Sequence, residues 1–307
     1  MKKTLILGTA QWGWTVSRQE AFQLLDAWIG SGGRELDCAT NYPINRDPAV
    51  FRAAEKILHE YVHAHGLQDI RLTMKIGSLD NMRSPEVNLA PSFIQMMAEE
   101  YLRLFGTNLS CIMLHWDNRA DVSAIRASLE ALQLLQQTAG IRPGLSGIAH
   151  PEAYMQANAD LRLSFDIQLK HNVLQSDFER YGPLRNDATD LQHRFFAYGL
   201  NAGGVKLESD YARSSTFLAR GGQTGSFTQK LDKLAELLPE WNTAYVRPPL
   251  ITMNHLGLIY AGLHPRLSGL LLGVSSVAQL RETLDYWRNL GTFDYADVFS
   301  ALNTQVP

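Results

Sequence analysis

The chain has 307 residues, 45% hydrophobic and 19% charged, with a formal net charge of −3. That balance suits a folded chain with a large core and gives no electrostatic pull toward nucleic acid or an anionic membrane; no apolar run approaches the length that spans a bilayer. Two cysteines, Cys38 and Cys111, are too few for a disulfide framework, so a reducing, cytoplasmic setting is expected.

The opening stretch is basic, then apolar, and its apolar part is too short for a secretory signal. It reads as a strand, Thr4–Leu7. Ser17–Ile29 has the pattern of an amphipathic helix, capped by Ser17 and stopped by Gly30. A strand is predicted at Arg34–Asp37 and a helix at Pro48–Ala64. Then come a strand at Ile70–Lys75 and a helix at Pro91–Phe105 that opens on proline. Ser110–Leu114, Gly144–Ile148, Phe165–Leu169, Arg194–Tyr198 and Ser268–Leu272 read as further strands. The helices among them are predicted at Asp121–Gln137, Pro151–Asn158, around Asp187–Gln192, Pro249–Tyr260 and Ala278–Leu290. Strand–helix alternation implies a parallel sheet, and about eight repeats favour a closed (β/α)₈ TIM barrel forming one catalytic domain over residues 1–307. No G-x-G-x-x-G follows the first strand, so an open dinucleotide-binding sheet lacks its fingerprint. Asn201–Arg247 breaks the rhythm as a long excursion after the seventh strand. It contains Arg220-Gly221-Gly222-Gln223-Thr224-Gly225 and a helix near Gln229–Leu238, and it reads as a lid.

Barrel active sites sit at the C-terminal ends of the strands. The second strand runs into Asp37 and, five residues on, Tyr42; the third ends at Lys75; the fourth ends at His115-Trp116. Together these groups suit hydride transfer to a carbonyl. The oxygen gains negative charge, so an acid must stand beside it, and Tyr42 is placed for that role. The Lys75 ammonium would draw the tyrosine pKa down from about 10, and Asp37 would pair with the lysine. His115 would orient the substrate oxygen. Each group alone also fits a structural role: an ion pair for Asp37 and Lys75, rim or barrel packing for Tyr42 and Tyr198, a bonded near-core imidazole for His115. Trp12, Trp14 and Trp116 fit either the core or the wall of an apolar substrate pocket. His59 and His63 are one helical turn apart, a zinc-compatible spacing, but no further ligand is placed beside them and no metal is expected. Cys38 and Cys111 read as inert buried thiols.

The run Gly33-Arg34-Glu35-Leu36-Asp37-Cys38-Ala39-Thr40-Asn41-Tyr42 resembles the aldo-keto reductase signature. Met74-Lys75, Leu114-His115-Trp116 and the opening Leu7-Gly8-Thr9-Ala10-Gln11-Trp12-Gly13 match that family in order and position, and the resemblance covers nearly the whole chain. It implies an NAD(P)(H)-dependent oxidoreductase, with NADP(H) favoured, NAD(H) possible, and a small-molecule aldehyde, ketone or sugar as substrate. It further implies that Gln168 binds the nicotinamide amide and that Tyr198 stacks on the ring. Ser275, Ser276, Gln279 and Glu282 would hold the adenosine phosphate end.

Several positions depart from that pattern. Gly147-Ile148-Ala149-His150 stands where the family has glycine-x-serine-asparagine, so His150 is a candidate substitute partner for the nicotinamide. Gly199-Leu200 follows Tyr198 in place of serine-proline. Gln279 stands where many relatives carry arginine, and Thr283 where they carry asparagine; Arg281 is the nearest cation. Barrel-loop residues such as Arg119 set the substrate, and the Asn45-Arg46-Asp47 cluster is a candidate contact to a sugar or anionic group. Two other classes fit parts of the pattern: a lyase or aldolase using Lys75 as a Schiff base, and a non-catalytic cofactor-sensing subunit.

Overall fold

The computed structural model describes residues 3–185, 190–207, 216–219, 222–223, 225 and 227–306. Eight parallel strands close into a barrel in chain order. They are β1 (Thr4–Gly8), β2 (Glu35–Ala39), β3 (Arg71–Ile76), β4 (Leu109–His115), β5 (Arg142–Ser146), β6 (Asp166–Lys170), β7 (Arg194–Tyr198) and β8 (Leu267–Leu272). The last strand pairs back onto the first through Thr4–Leu7 against Gly269–Leu272. Ile6, Phe196 and Leu271 form a small apolar cluster with Tyr198 packed against it.

The helices are α1 (Arg18–Gly30), α2 (Ala53–Ala64), α3 (Pro91–Phe105), α4 (Val122–Ala139), α5 (Pro151–Ala157), α6 (Thr216–Ala219), α7 (Thr228–Thr243), α8 (Met253–Gly262), α9 (Val277–Asn289) and α10 (Ala296–Thr304). Local signals set their starts. Ser17 and Glu20 form a reciprocal capping box at α1. Asp121 accepts the Ser123 and Ala124 amides at α4, and Thr252 accepts the His255 amide at α8. Helix α3 buries Ile94, Met97, Ala98, Tyr101 and Phe105, a stripe at helical spacing.

In its helices and loops the structure departs from the sequence expectation at several points. The segment expected as one helix over Pro48–Ala64 is a 3₁₀ turn at Pro48–Val50, then α2. Between them Arg52 takes a left-handed backbone while its guanidinium bonds Glu55 and Glu100. The helix expected near Asp187–Gln192 falls partly outside the described residues, and its described part, 190–192, is not helical. Only parts of 201–247, including its glycine-rich run, are described; α7 fills much of what is, extending past Leu238 to Thr243. Helix α10 was not anticipated from the sequence, although Val298, Ala301 and Leu302 give it a buried face. Among the described residues no helix is long and apolar enough to cross a membrane.

Candidate active site

A cavity of about 1480 Å³ opens at the C-terminal mouth of the barrel. Asp37 and His115 line it from β2 and β4, Ser146 and Gln168 from β5 and β6, and Tyr198 from the end of β7. On one side it reaches Trp14, Tyr42 and Trp116; on the other it reaches the β8–α9 turn at Gly273–Ser275.

At its base lies a buried polar triangle. Lys75 Nζ donates to Asp37 Oδ2 and, at 3.3 Å, to Gln168 Oε1, while Gln168 Nε2 donates to Asp37 Oδ1 at 2.5 Å. Asp37, Lys75 and Gln168 are each 1% exposed. Charges this deep persist only when paired and bonded, and the triangle does both. Parallel pairing makes it geometric: Asp37 lies opposite Thr73, two residues before Lys75, so both side chains leave neighbouring strands on one face.

Lys75 Nζ stands 4.9 Å from the centroid of the Tyr42 ring. The Tyr42 and His115 rings meet edge to face at 6.1 Å. Burial pulls the Lys75 pKa down, but Asp37 and Tyr42 outweigh it and hold the ammonium above its ordinary value. Burial lowers the His115 pKa well below its usual value, and the Lys75 charge adds to this, so the imidazole is neutral. The expectation that Lys75 lowers the Tyr42 pKa is overturned in its net sign. Burial pushes the phenol up, Lys75 pulls it only part of the way back, and Asp37 adds to the upward push. Tyr42 is therefore a fully protonated donor at neutral pH. Burial, with the charges of Glu55 and Asp37 adding to it, pushes the Cys38 thiol up to about 12, where it stays protonated.

Trp14 and Trp116 both line the cavity, whereas Trp12 is fully buried. Trp116 has a left-handed backbone (φ 58°), and its amide donates to Ser146 O at 2.9 Å. Gly147 must be glycine here. Its φ is +66°, and a Cβ there would lie 2.6 Å from Trp116 Cδ1.

Three expected contacts do not reach the cavity. His150 precedes α5 and faces Glu152, with Nδ1 to Oε1 at 3.1 Å. The reason is that β5 ends at Ser146 rather than two residues later, so Ser146 and not His150 stands at the rim, in register with Gln168. Arg119 is held by Asp117, itself bonded to Tyr154 Oη at 2.6 Å. Asn45 and Asp47 are spent on loop structure: Asn45 Oδ1 accepts from Asn81 Nδ2 and Asp47 caps the Ala49 amide.

At the far end, Ser275 N and Oγ both donate to Gln279 Oε1 at 3.0 Å. Ser276 caps α9 by accepting the Gln279 amide and does not itself line the cavity. Glu282 Oε1 lies 3.3 Å from His255 Nε2, and Asn254 Nδ2 donates to Thr283 Oγ1 at 2.9 Å. Arg281 is exposed and does not line the cavity. The space suits a dinucleotide with a small second molecule. It exceeds the roughly 300–1,000 Å³ of a drug-sized pocket. It also ends at the N-terminus of α9, where unpaired amides attract anions, and a Cβ built on Gly273 would meet nothing within 4 Å. His59 and His63 stack on α2 with ring centroids 5.9 Å apart and do not line the cavity. Among the described residues no group of three or more His, Cys, Asp or Glu is placed to hold a metal ion.

A closed parallel barrel with a polar site at its strand C-termini belongs to the large class of barrel enzymes. Within that class, residues 4–302 match the model of the aldo/keto reductase family, and the chain belongs to that family. It is thus a nicotinamide-dependent oxidoreductase acting on small-molecule carbonyls. A comparison with curated proteins found none that matches.

Proposed function

We propose that the chain, acting as one catalytic domain, reduces an aldehyde, ketone or sugar carbonyl with Tyr42 as the general acid. When bound, the reduced nicotinamide supplies a hydride to the carbonyl carbon. The Tyr42 hydroxyl supplies the proton to the oxygen, and the product is the alcohol. The observation that carries this reading is the charged Lys75, locked by Asp37 and Gln168, 4.9 Å from the Tyr42 ring at the cavity wall. Its positive charge stabilises the phenolate as the proton leaves. Neutral His115 keeps one N–H to orient the carbonyl oxygen and has no proton of suitable acidity to give. The same geometry disfavours Lys75 as a Schiff-base nucleophile, because Asp37 keeps its amine protonated. Gln168 retains one amide hydrogen and one lone pair for the nicotinamide carboxamide, with Ser146 as the second partner in place of His150. Tyr198 offers a ring face to the nicotinamide.

Tyr42→Phe keeps the ring and removes the proton. Turnover should fall on the order of 10²–10⁴-fold with cofactor affinity little changed. Retained turnover would remove Tyr42 from the role. If the wild-type protein binds cofactor tightly and turns over no carbonyl, the sensing-subunit reading takes over.

For the cofactor, the start of α9 supports a preference for NADP(H), to which the Ser275 hydroxyl would add a donor on turning from Gln279. The preference is modest, since a neutral Gln279 attracts a dianion less than a cation does. Glu282 nearby limits it further. Paired titrations of both reduced cofactors at one ionic strength test this. Tighter binding of NADH than NADPH would overturn it.

A further inference from the structure

The substrate side of the cavity carries a cation that no acid answers. Arg83, on the loop after β3, lines the cavity on the side that holds Tyr42, Trp14 and Trp116. Among the described residues it makes no ion pair or side-chain hydrogen bond, and the charge of Arg46, from the loop after β2, acts on it. Arg83 is exposed at the cavity mouth and stays charged; partial burial and the Arg46 charge both lower its pKa.

The arrangement is built into the loops. Asn81 is fully buried. Its Nδ2 donates to Asn45 Oδ1 at 3.0 Å and to Asp47 O at 2.6 Å, and its backbone carbonyl accepts from Arg46 N at 3.2 Å. One buried residue thus ties the two arginine-bearing loops together. Arg46 (φ 62°) and Arg83 (φ 66°) both hold a left-handed backbone that non-glycine residues rarely adopt. The nearby acids are engaged elsewhere. Asp47 accepts the Ala49 amide at 3.0 Å and Asp80 accepts the Met82 amide at 2.8 Å. Of the two carboxylates that line the cavity, Asp37 is neutralised by Lys75, and Glu282 lies beside His255 at the α9 side.

We infer that this barrel takes an anionic carbonyl substrate, an aldehyde or ketone bearing a carboxylate or phosphate group, which Arg83 binds with Arg46 as the outer second charge. The inference rests on the carbonyl-reduction reading of the same cavity. An arginine that lacks a protein partner presents a planar fork of donors matched to either oxyanion. The anion satisfies Arg83 and relieves its repulsion with Arg46, while the carbonyl end reaches Tyr42 between the two tryptophans.

The test uses the full chain and two matched pairs of probes. One pair is a short ω-aldehyde carboxylate and its methyl ester; the other is a triose phosphate and the unphosphorylated triose. Binding is read from the fluorescence of Trp14 and Trp116, and turnover is read separately with NADPH and NADH. In at least one pair the anionic member should bind about 10- to 100-fold more tightly than its neutral partner, as a charged hydrogen-bonded contact does. The pair with the larger ratio tells carboxylate from phosphate. Arg83→Met should abolish the ratio while neutral probes bind within about twofold of wild type; Arg46→Met should reduce it less, and added salt should shrink it. Equal binding of charged and neutral members in both pairs, or a ratio that survives Arg83→Met, overturns the inference. Arg83-dependent anion binding without turnover on either cofactor leaves the anion site standing and removes the reductase reading. Turnover of neutral carbonyls with no anionic preference does the reverse.

Discussion

Burial and charge act on Tyr42 in opposite senses, and burial wins. His115 is pushed the other way, to neutrality. A pH profile of carbonyl reduction should therefore be flat from pH 6 to 8. His115 has already lost its proton below that window, and Tyr42 loses its own only above it. A break near 6.5, the ordinary histidine value, that disappears in His115→Asn would contradict this assignment. Lys75→Met should lose turnover and also strand the Asp37 carboxylate 1% exposed. Removing one partner of a buried pair costs about 3–5 kcal/mol. Denaturant melts should show that loss and should show much of it recovered in the Asp37→Leu/Lys75→Met double variant, with activity still absent. A single variant as stable as wild type would mean the pair is not held as described. The residue types of Asp37, Tyr42, Lys75 and His115 were legible in the sequence because each lies at or a few residues beyond the end of a predicted strand. The sign of the Tyr42 shift was not legible, since it depends on burial that spacing does not encode. Nor was the double bonding of Gln168, whose partners lie 131 and 93 residues away along the chain.

At the scale of elements, the ends of β4 and β5 act as one unit. Trp116 turns into the cavity on a left-handed backbone only because Gly147 has no side chain to meet it. Gly147→Ala should displace the indole and strain a positive φ, destabilising by about 1–3 kcal/mol. It should also shift tryptophan emission and raise KM more than it lowers kcat. An unchanged emission spectrum would show that Trp116 is not seated against this turn. Here the sequence misled by two residues. Gly144–Ile148 has the apolar pattern of a strand, but the strand is Arg142–Ser146, because Gly147 leaves the ladder at φ +66°. That offset moved His150 onto the rim and hid Ser146. Arg83 gave no signal at all, because it lies in a loop without periodicity and its meaning comes from a neighbour on another loop.

Over the whole molecule, buried and half-buried histidines tie stability to pH. Burial lowers His171 to about 3 and His193 and His264 to about 4, with Arg142 adding to His193 and Lys3 and Arg185 to His264. His115 and His255 are lowered in the same sense. The unfolded chain binds these protons near pH 6.5 and the folded chain does not, so stability is full above that value and falls as pH drops from about 6.5 toward 4. Glu35 and Glu55 are raised by burial and oppose the trend, but they are fewer. Thermal melts should show Tm falling between pH 7 and 5; a constant or rising Tm would contradict the burial of these rings. The barrel itself was legible as repetition, because every strand–helix unit leaves its own apolar face. The final helix was not, because it packs outside that repeat. Hydride transfer to a carbonyl with Tyr42 giving the proton is tested most directly by a single-turnover reaction with reduced nicotinamide carrying two deuterons at the transferring carbon, run on wild type and Tyr42→Phe with a reactive carbonyl. Deuterium is expected on the former carbonyl carbon in both proteins, and in the variant a rate lower on the order of 10²–10⁴-fold. An alcohol without deuterium, or an undiminished rate in Tyr42→Phe, would contradict that mechanism.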